Sequence, residues 1–443
     1  MKRLALLLVP ALAACHGGGG KSHRTGSNAP VELVTEVKGP DAGHAGSVDE
    51  VEPNDADEVA TPLPLGGTLR GKIEPETDVD HVRLDVDKPG VLQVMLTGVE
   101  GQDLVLEIED AGGNVIARSD RGGLRIKEGI PNLGVTPGRY TLVVRAAPKK
   151  KVARPTRRGH RPEPEPEAPP AAVYELSTQL VTPSAGSERE PDDDRGTAND
   201  LIPTDTVTGF VGWNGDADVW KLSIETLSEK NAIDVEVSAV EGVALELEVA
   251  DALGQVLVSR KAPKGAPIAV RDLLPLVPQG GAPYHYITVR GAPSNPETAY
   301  NLKVTPHVLR DDPEVEPDDS PDKPYVIPES RTVVHGTWTP GDVDCYTVAV
   351  SDQPRTVEVT ITPKGDLDLT TDLLVDGKPP TDAKGKPLAA AKKGGRGAAE
   401  KLAAQVSPGA HLVIRVHGDA NATAEGAYDV NVQETGGTGD NVP

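Results

Sequence analysis

The residues of this chain with the most obvious chemistry are carboxylates, and they recur. The string Glu50-Val51-Glu52-Pro53-Asn54-Asp55 returns as Glu188-Arg189-Glu190-Pro191-Asp192-Asp193 and as Glu314-Val315-Glu316-Pro317-Asp318-Asp319. Each string is followed by a pair: Asp78 and Asp80, Asp216 and Asp218, Asp342 and Asp344. The second Glu and the second Asp of the pair stand 28 residues apart in all three copies. In extended backbone, alternate residues share a face, so Glu50, Glu52 and Asn54 converge. If string and pair meet in space, several like charges gather, and a cation or solvent must offset their repulsion. Calcium takes about six to eight oxygens, mostly carboxylate and carbonyl, and is the ion these residues suit. The same residues also read as a solvated acidic turn, with Asp and Asn capping a loop and the Asp-x-Asp pair closing one before a strand.

Other chemistries find little support. The 10 His are scattered, and none is spaced as in H-E-x-x-H or a zinc site. There is no G-x-S-x-G elbow and no G-x-x-x-x-G-K-[ST] phosphate loop, and Cys345 has no His near it in sequence. The chain therefore reads as a non-enzyme with no cofactor other than calcium. The 45 Lys and Arg stand against 68 Asp and Glu, a net charge of −23. Such a chain offers no net basic field for phosphates, which argues against a nucleic-acid partner. No apolar run is long enough to span a bilayer as a helix.

The elements that must position the carboxylates are strands. The strings begin 138 and 126 residues apart, so each repeat is domain-sized and can bury its own core. Apolar residues alternate with polar ones at Val82, Leu84, Val86, at Leu92, Val94, Leu96 and at Leu104, Leu106, Ile108. The second repeat does the same from Trp220, Ile233 and Leu245, the third at Tyr346, Val348, Val350 and at Val357, Val359, Ile361. Period two with turn residues between, such as Asp110-Ala111-Gly112-Gly113-Asn114 and Asp376-Gly377, marks half-buried strands. The last two strands of each repeat read as a hairpin-like pair: Tyr140–Arg145 with Tyr174–Leu180, Tyr286–Arg290 with Tyr300–Val304, Leu412–His417 with Tyr428–Val432. The fold expected is all-β: three tandem antiparallel β-sandwiches, at 48–182, 186–306 and 312–434, after a flexible N-terminal tether at 15–47. A basic and then Pro-Glu-rich insert at 149–172 and a tail at 435–443 read as disordered. Cys345, in an alternating stretch, reads as a half-buried, inert thiol.

Two resemblances follow from these residues. Met1-Lys2-Arg3, an apolar stretch from Leu4 to Ala14 and then Leu12-Ala13-Ala14-Cys15 resemble the signal peptide (1–14) and lipobox of bacterial lipoproteins. The resemblance implies acyl chains on Cys15, a membrane partner through that anchor and, with His16 following, the outer membrane of a Gram-negative cell envelope. The E-x-E-P-[ND]-D string, a Gly-Asp-x-Asp-x-aromatic step (Gly215 to Trp220, Gly341 to Tyr346) and Gly138-Arg139-Tyr140 resemble the bacterial pre-peptidase C-terminal domain. His81-Val82, Pro283-Tyr284-His285-Tyr286 and Gly409-Ala410-His411-Leu412 depart from that pattern. The resemblance implies small non-catalytic sandwiches that accompany secreted enzymes, with calcium on the acidic residues. Two functions stay open: a surface module binding an envelope protein or glycan, and a spacer or assembly partner of another secreted protein. A binding module should expose aromatic residues, for which Trp213 and Trp338 are the candidates.

Overall fold

The computed structural model describes residues 46–148, 172–309 except 229 and 278, and 313–436 except 382–385, 388–389, 392–394 and 420–423. The signal peptide, Cys15, nearly all of the tether and the basic insert lie outside the described residues. A first strand, Ser47–Asp49, starts within the stretch read as tether, and the last one, Gly426–Gly436, runs into the stretch read as tail.

The regular secondary structure of the described residues is strand, apart from one short 3-10 turn at Asp57–Val59. Six sheets pair into three sandwiches. In the first, one sheet runs Ser47–Asp49, Thr68–Gly71, Tyr174–Val181, Gly90–Leu96, Glu128–Val135. The other runs Thr61–Pro62, Val79–Val86, Gly138–Ala146, Leu104–Glu109, Val115–Ser119. The second and third repeats use the same order with one and two fewer edge strands. Pairing is antiparallel except at short edge strands such as Thr61–Pro62, which run parallel to their neighbour. Alternation places one face of each strand inward. Along Val79–Val86 the buried residues are Asp80, Val82, Leu84 and Val86. Each sandwich closes on its own core: Val82, Leu92 and Leu106 in the first, Trp220, Ile233 and Leu247 in the second, Tyr346, Val359 and Ile414 in the third. Burying each such side chain stabilises by about 1.5–3 kcal/mol.

Three expectations are corrected. The closing strands do not form hairpins. Gly138–Ala146 pairs with Val79–Val86 and Leu104–Glu109, while Tyr174–Val181 pairs with Thr68–Gly71 and Gly90–Leu96 in the opposite layer. Alternation tells which face a strand buries and not which strand it pairs with, and two adjacent strands in opposite layers bury their faces equally well. In the third repeat the strand Val343–Thr347 ends before Val350, which is exposed. Cys345 is fully buried rather than half-buried, and burial pushes its thiol up to about 12.

Candidate metal centre

The sandwich delivers string and pair to one end. In each repeat the second Asp of the pair opens the inward face of its strand, so its carboxylate points between the layers. From the opposite layer comes the closing tyrosine. Tyr174 Oη donates to Asp80 Oδ2 (2.5 Å), and Tyr428 donates to Asp344. In the second repeat Tyr300 flanks Asp218 and accepts from Trp220 Nε1 at 3.0 Å. The direct cross-strand partner of each tyrosine is a glycine: Gly71, Gly209 and Gly336. A Cβ there would collide with the tyrosine ring and, in the first two repeats, with the first Glu of the string. The amide after that glycine then holds the Glu: Lys72 N on Glu50 (2.9 Å), Phe210 N on Glu188 (2.7 Å) and Thr337 N on Glu314.

The remaining carboxylates are fixed by the same device in every copy. The second Glu accepts from the amide two residues on: Asn54 N on Glu52 (3.0 Å), Asp192 N on Glu190 (2.8 Å), Asp318 N on Glu316 (2.9 Å). The first Asp of the pair caps its own loop: Glu74 N on Asp78 (2.8 Å), Gly212 N on Asp216 (2.5 Å), Thr339 N on Asp342 (3.3 Å). The loop-capping reading of the pair is therefore correct for one oxygen of each first Asp.

The second repeat shows what is left over. Glu188, Glu190, Asp192, Asp216 and Asp218 are all buried, none more than 2% exposed. Ligand atoms of Glu188, Glu190, Asp192 and Asp218 lie within 4.8 Å of one another. Among the described residues, Glu188 Oε1, Glu190 Oε1, Asp192 Oδ1, Asp216 Oδ1 and both oxygens of Asp218 have no hydrogen-bond partner. Two unit charges at that separation repel by about 3–4 kcal/mol even at an effective dielectric of about 20. Four of them together would cost more than a domain's whole stability of about 5–15 kcal/mol. The group must therefore hold protons or a cation. Burial, reinforced by the neighbouring carboxylates, pushes Glu190 up to about 7 and Asp192 to about 9, and raises Glu188, Asp216 and Asp218 well above the carboxylate range. The donor set is all oxygen, with one oxygen of nearly every carboxylate anchored and the other free. It fits a hard cation such as calcium and does not fit zinc, which favours nitrogen and sulfur.

The other copies differ. In the first repeat Glu50, Glu52 and Asp80 converge, but Glu52 is exposed; Asp80 is buried and pushed up to about 8, and Asn54 is buried with both amide atoms unpartnered. In the third, Glu314, Glu316 and Asp318 converge, as do Glu316, Asp319 and Asp342. Burial raises Glu314, Asp318 and Asp344 well above their usual range and Glu316 to about 8. Asp55 and Asp193, expected as ligands, are exposed and belong to none of these groups. In these two repeats the residue after the string's Asn or Asp has turned outward, whereas Asp319 of the third stays with its pocket.

Several partners escaped the sequence. The strings of the second and third repeats are roofed by the repeat before them. Asn132 O accepts from Glu190 N (3.0 Å), Gly134 N donates to Glu190 O (2.8 Å), and Asn132 Nδ2 donates to Glu188 Oε2 (2.7 Å). At the next junction Asp272 O accepts from Glu316 N (3.2 Å) and Leu274 N donates to Glu316 O (3.0 Å). Both roofing strands carry a register shift just there, at Pro131-Asn132 and Arg271-Asp272, which aims them at the next string. Arg260 of the second repeat enters the third pocket, 1% exposed, bridging Glu316, Asp342 (2.6 Å) and Asp319 (2.5 Å). The signal for it was a charge at an inward position of the strand Val256–Lys261. A further group, Asp234, Asp272 and His307, is braced internally by His307 on Asp272 (2.8 Å) and Arg271 on Asp234 (3.4 Å). The two candidate aromatics are not a binding patch. Trp338 is buried in the third core, and Trp213 packs against the core of the first repeat.

Fold and site thus define an all-β chain of sandwiches, each carrying an acidic pocket at one end. No family model matches the chain, and no curated protein matches it. Among solved structures it is similar to the pre-peptidase C-terminal domain of a collagenase from Bacillus anthracis. That match has 16% identity and a TM-score of 0.20, and covers 29% of this chain and 100% of the other. It is also similar to the CUB1-EGF-CUB2 region of human MASP-1/3, at 9% identity over 54% of this chain and 99% of the other, TM-score 0.16. A third is the tandem CBM22 domain from Paenibacillus barcinonensis, at 10% identity over 49% and 82%, TM-score 0.15.

Proposed function

We propose that the chain is a non-catalytic module of the cell envelope, anchored at Cys15, whose pre-peptidase-C-terminal-like sandwiches are stabilised by calcium. Its role is that of a spacer or assembly partner for another envelope or secreted protein. The observation that carries the calcium reading is the second pocket: five buried carboxylates with six oxygens that have no hydrogen-bond partner among the described residues. The choice of spacer over an aromatic-lined binding face rests on Trp213 and Trp338, which are spent on cores. Calorimetric titration with calcium tests the reading. Binding should be measurable for the wild-type chain and weakened at least about tenfold by Asp218→Asn, which removes a ligand charge without changing shape. No heat at millimolar calcium would refute it.

A further inference from the structure

The second and third pockets share their string, pair and tyrosine but differ in what the preceding repeat sends into them. In the second, Glu190 Oε1 and Asp216 Oδ1 are buried and unpartnered. In the third, the equivalent Glu316 Oε1 and Asp342 Oδ1 both lie within ion-pair distance of Nη2 of Arg260, while Asp318 and Asp344 keep oxygens with no hydrogen-bond partner among the described residues. Arg260 comes from the preceding repeat, where it pairs in register with Leu247. The same register position one repeat earlier, opposite Leu106, is Ser119, whose Oγ donates to the buried Glu128 (2.6 Å). That junction therefore sends no arginine into the second pocket. It sends Asn132 instead, 4% exposed, whose Nδ2 reaches Glu188 while its Oδ1 has no hydrogen-bond partner among the described residues.

We infer that the second pocket is a divalent-cation site shared between repeats one and two, and that Arg260 is the protein's built-in replacement for a cation at the junction of repeats two and three. This rests on the calcium reading of the pocket. A buried charge must be compensated where it sits. At the later junction the chain supplies the compensating charge as a forked guanidinium, well suited to several carboxylates. At the earlier junction protons or an ion from solution do so, and the amide oxygen of Asn132 is offered to that ion from across the interface. An ion that binds the docked arrangement and not the separated one favours docking by mass action. The first junction then tightens with calcium, and the second is set without it.

The test is amide hydrogen exchange on the full chain, with and without calcium, alongside calcium titration of the same sample. At calcium about 100 times its Kd, opening of the first junction should be suppressed about a hundredfold, seen at 128–135 and 187–193. Exchange at 268–274 and 313–319 should change less than about twofold. In Arg260→Ser, which gives the second junction the residue found at the first, those segments should become calcium-responsive. In Asn132→Ala the calcium affinity should fall at least about tenfold. Equal protection of both junctions in the wild type overturns the inference and leaves the calcium reading standing. So does an Arg260→Ser chain that folds and stays unresponsive at the second junction. If that variant does not fold, the wild-type comparison decides alone. An absence of binding heat overturns the calcium reading, and the inference with it.

Discussion

Raising the pH of the calcium-free chain should destabilise it, the reverse of ordinary acid denaturation. Glu190, Asp80 and Asp192 have pKa values raised by burial to about 7, 8 and 9, against unfolded values near 4. A group whose folded pKa is raised contributes its stability fully below the unfolded pKa. It loses that contribution as pH rises toward the folded value, because over this window the native state holds the extra proton. The slope is about 1.4 kcal/mol per pH unit for each such group. A single group titrating in this way costs about 2.7 kcal/mol between pH 5 and pH 7. For a sandwich of this size that is roughly 10 °C in Tm. Calcium replaces the protons, so its binding strengthens with pH and the slope should flatten or invert. Calorimetric melts at pH 5, 6 and 7, in chelator and in calcium, read this directly. A calcium-free Tm that holds steady or rises from pH 5 to 7 would mean that the carboxylates are ionised and solvated in the native state, and would contradict this expectation.

Two substitutions probe the parts that build and roof the pocket. Gly209→Ala places a methyl against Tyr300 and Glu188 and should cost about 1–3 kcal/mol through overpacking, read as a lower Tm and weaker calcium binding together. Trp213→Ala removes the side chain that the second repeat lodges against the first core. It should split one melting transition into separable ones, at a cost of about 1–3 kcal/mol, with the two cores otherwise intact.

Much of this site was legible before the fold. Three strings with a constant spacing to three Asp pairs named nearly every carboxylate in the pockets, because in a sandwich that spacing fixes which strand end each residue occupies. Alternation also identified the strands. It could not assign Gly138–Ala146 and Tyr174–Val181 to opposite layers, because period two records a face and no partner. Asp55 and Asp193 looked equivalent to their neighbours, but in extended backbone the next residue points the other way. The glycines at 71, 209 and 336 are ordinary in sequence, and only their pairing with a tyrosine gives them a role. Asn132, Arg260 and Trp213 act on a neighbouring repeat. Contacts between domains leave no periodicity to read; the one trace was an arginine on the inward face of a strand.

The most direct measurement is a crystal structure of the chain grown in calcium. An ion is expected among Glu188, Glu190, Asp192 and Asp218, bound by the oxygens that otherwise lack partners among the described residues. Carboxylates sharing protons or ordered water in that pocket, with no ion at saturating calcium, would contradict that expectation.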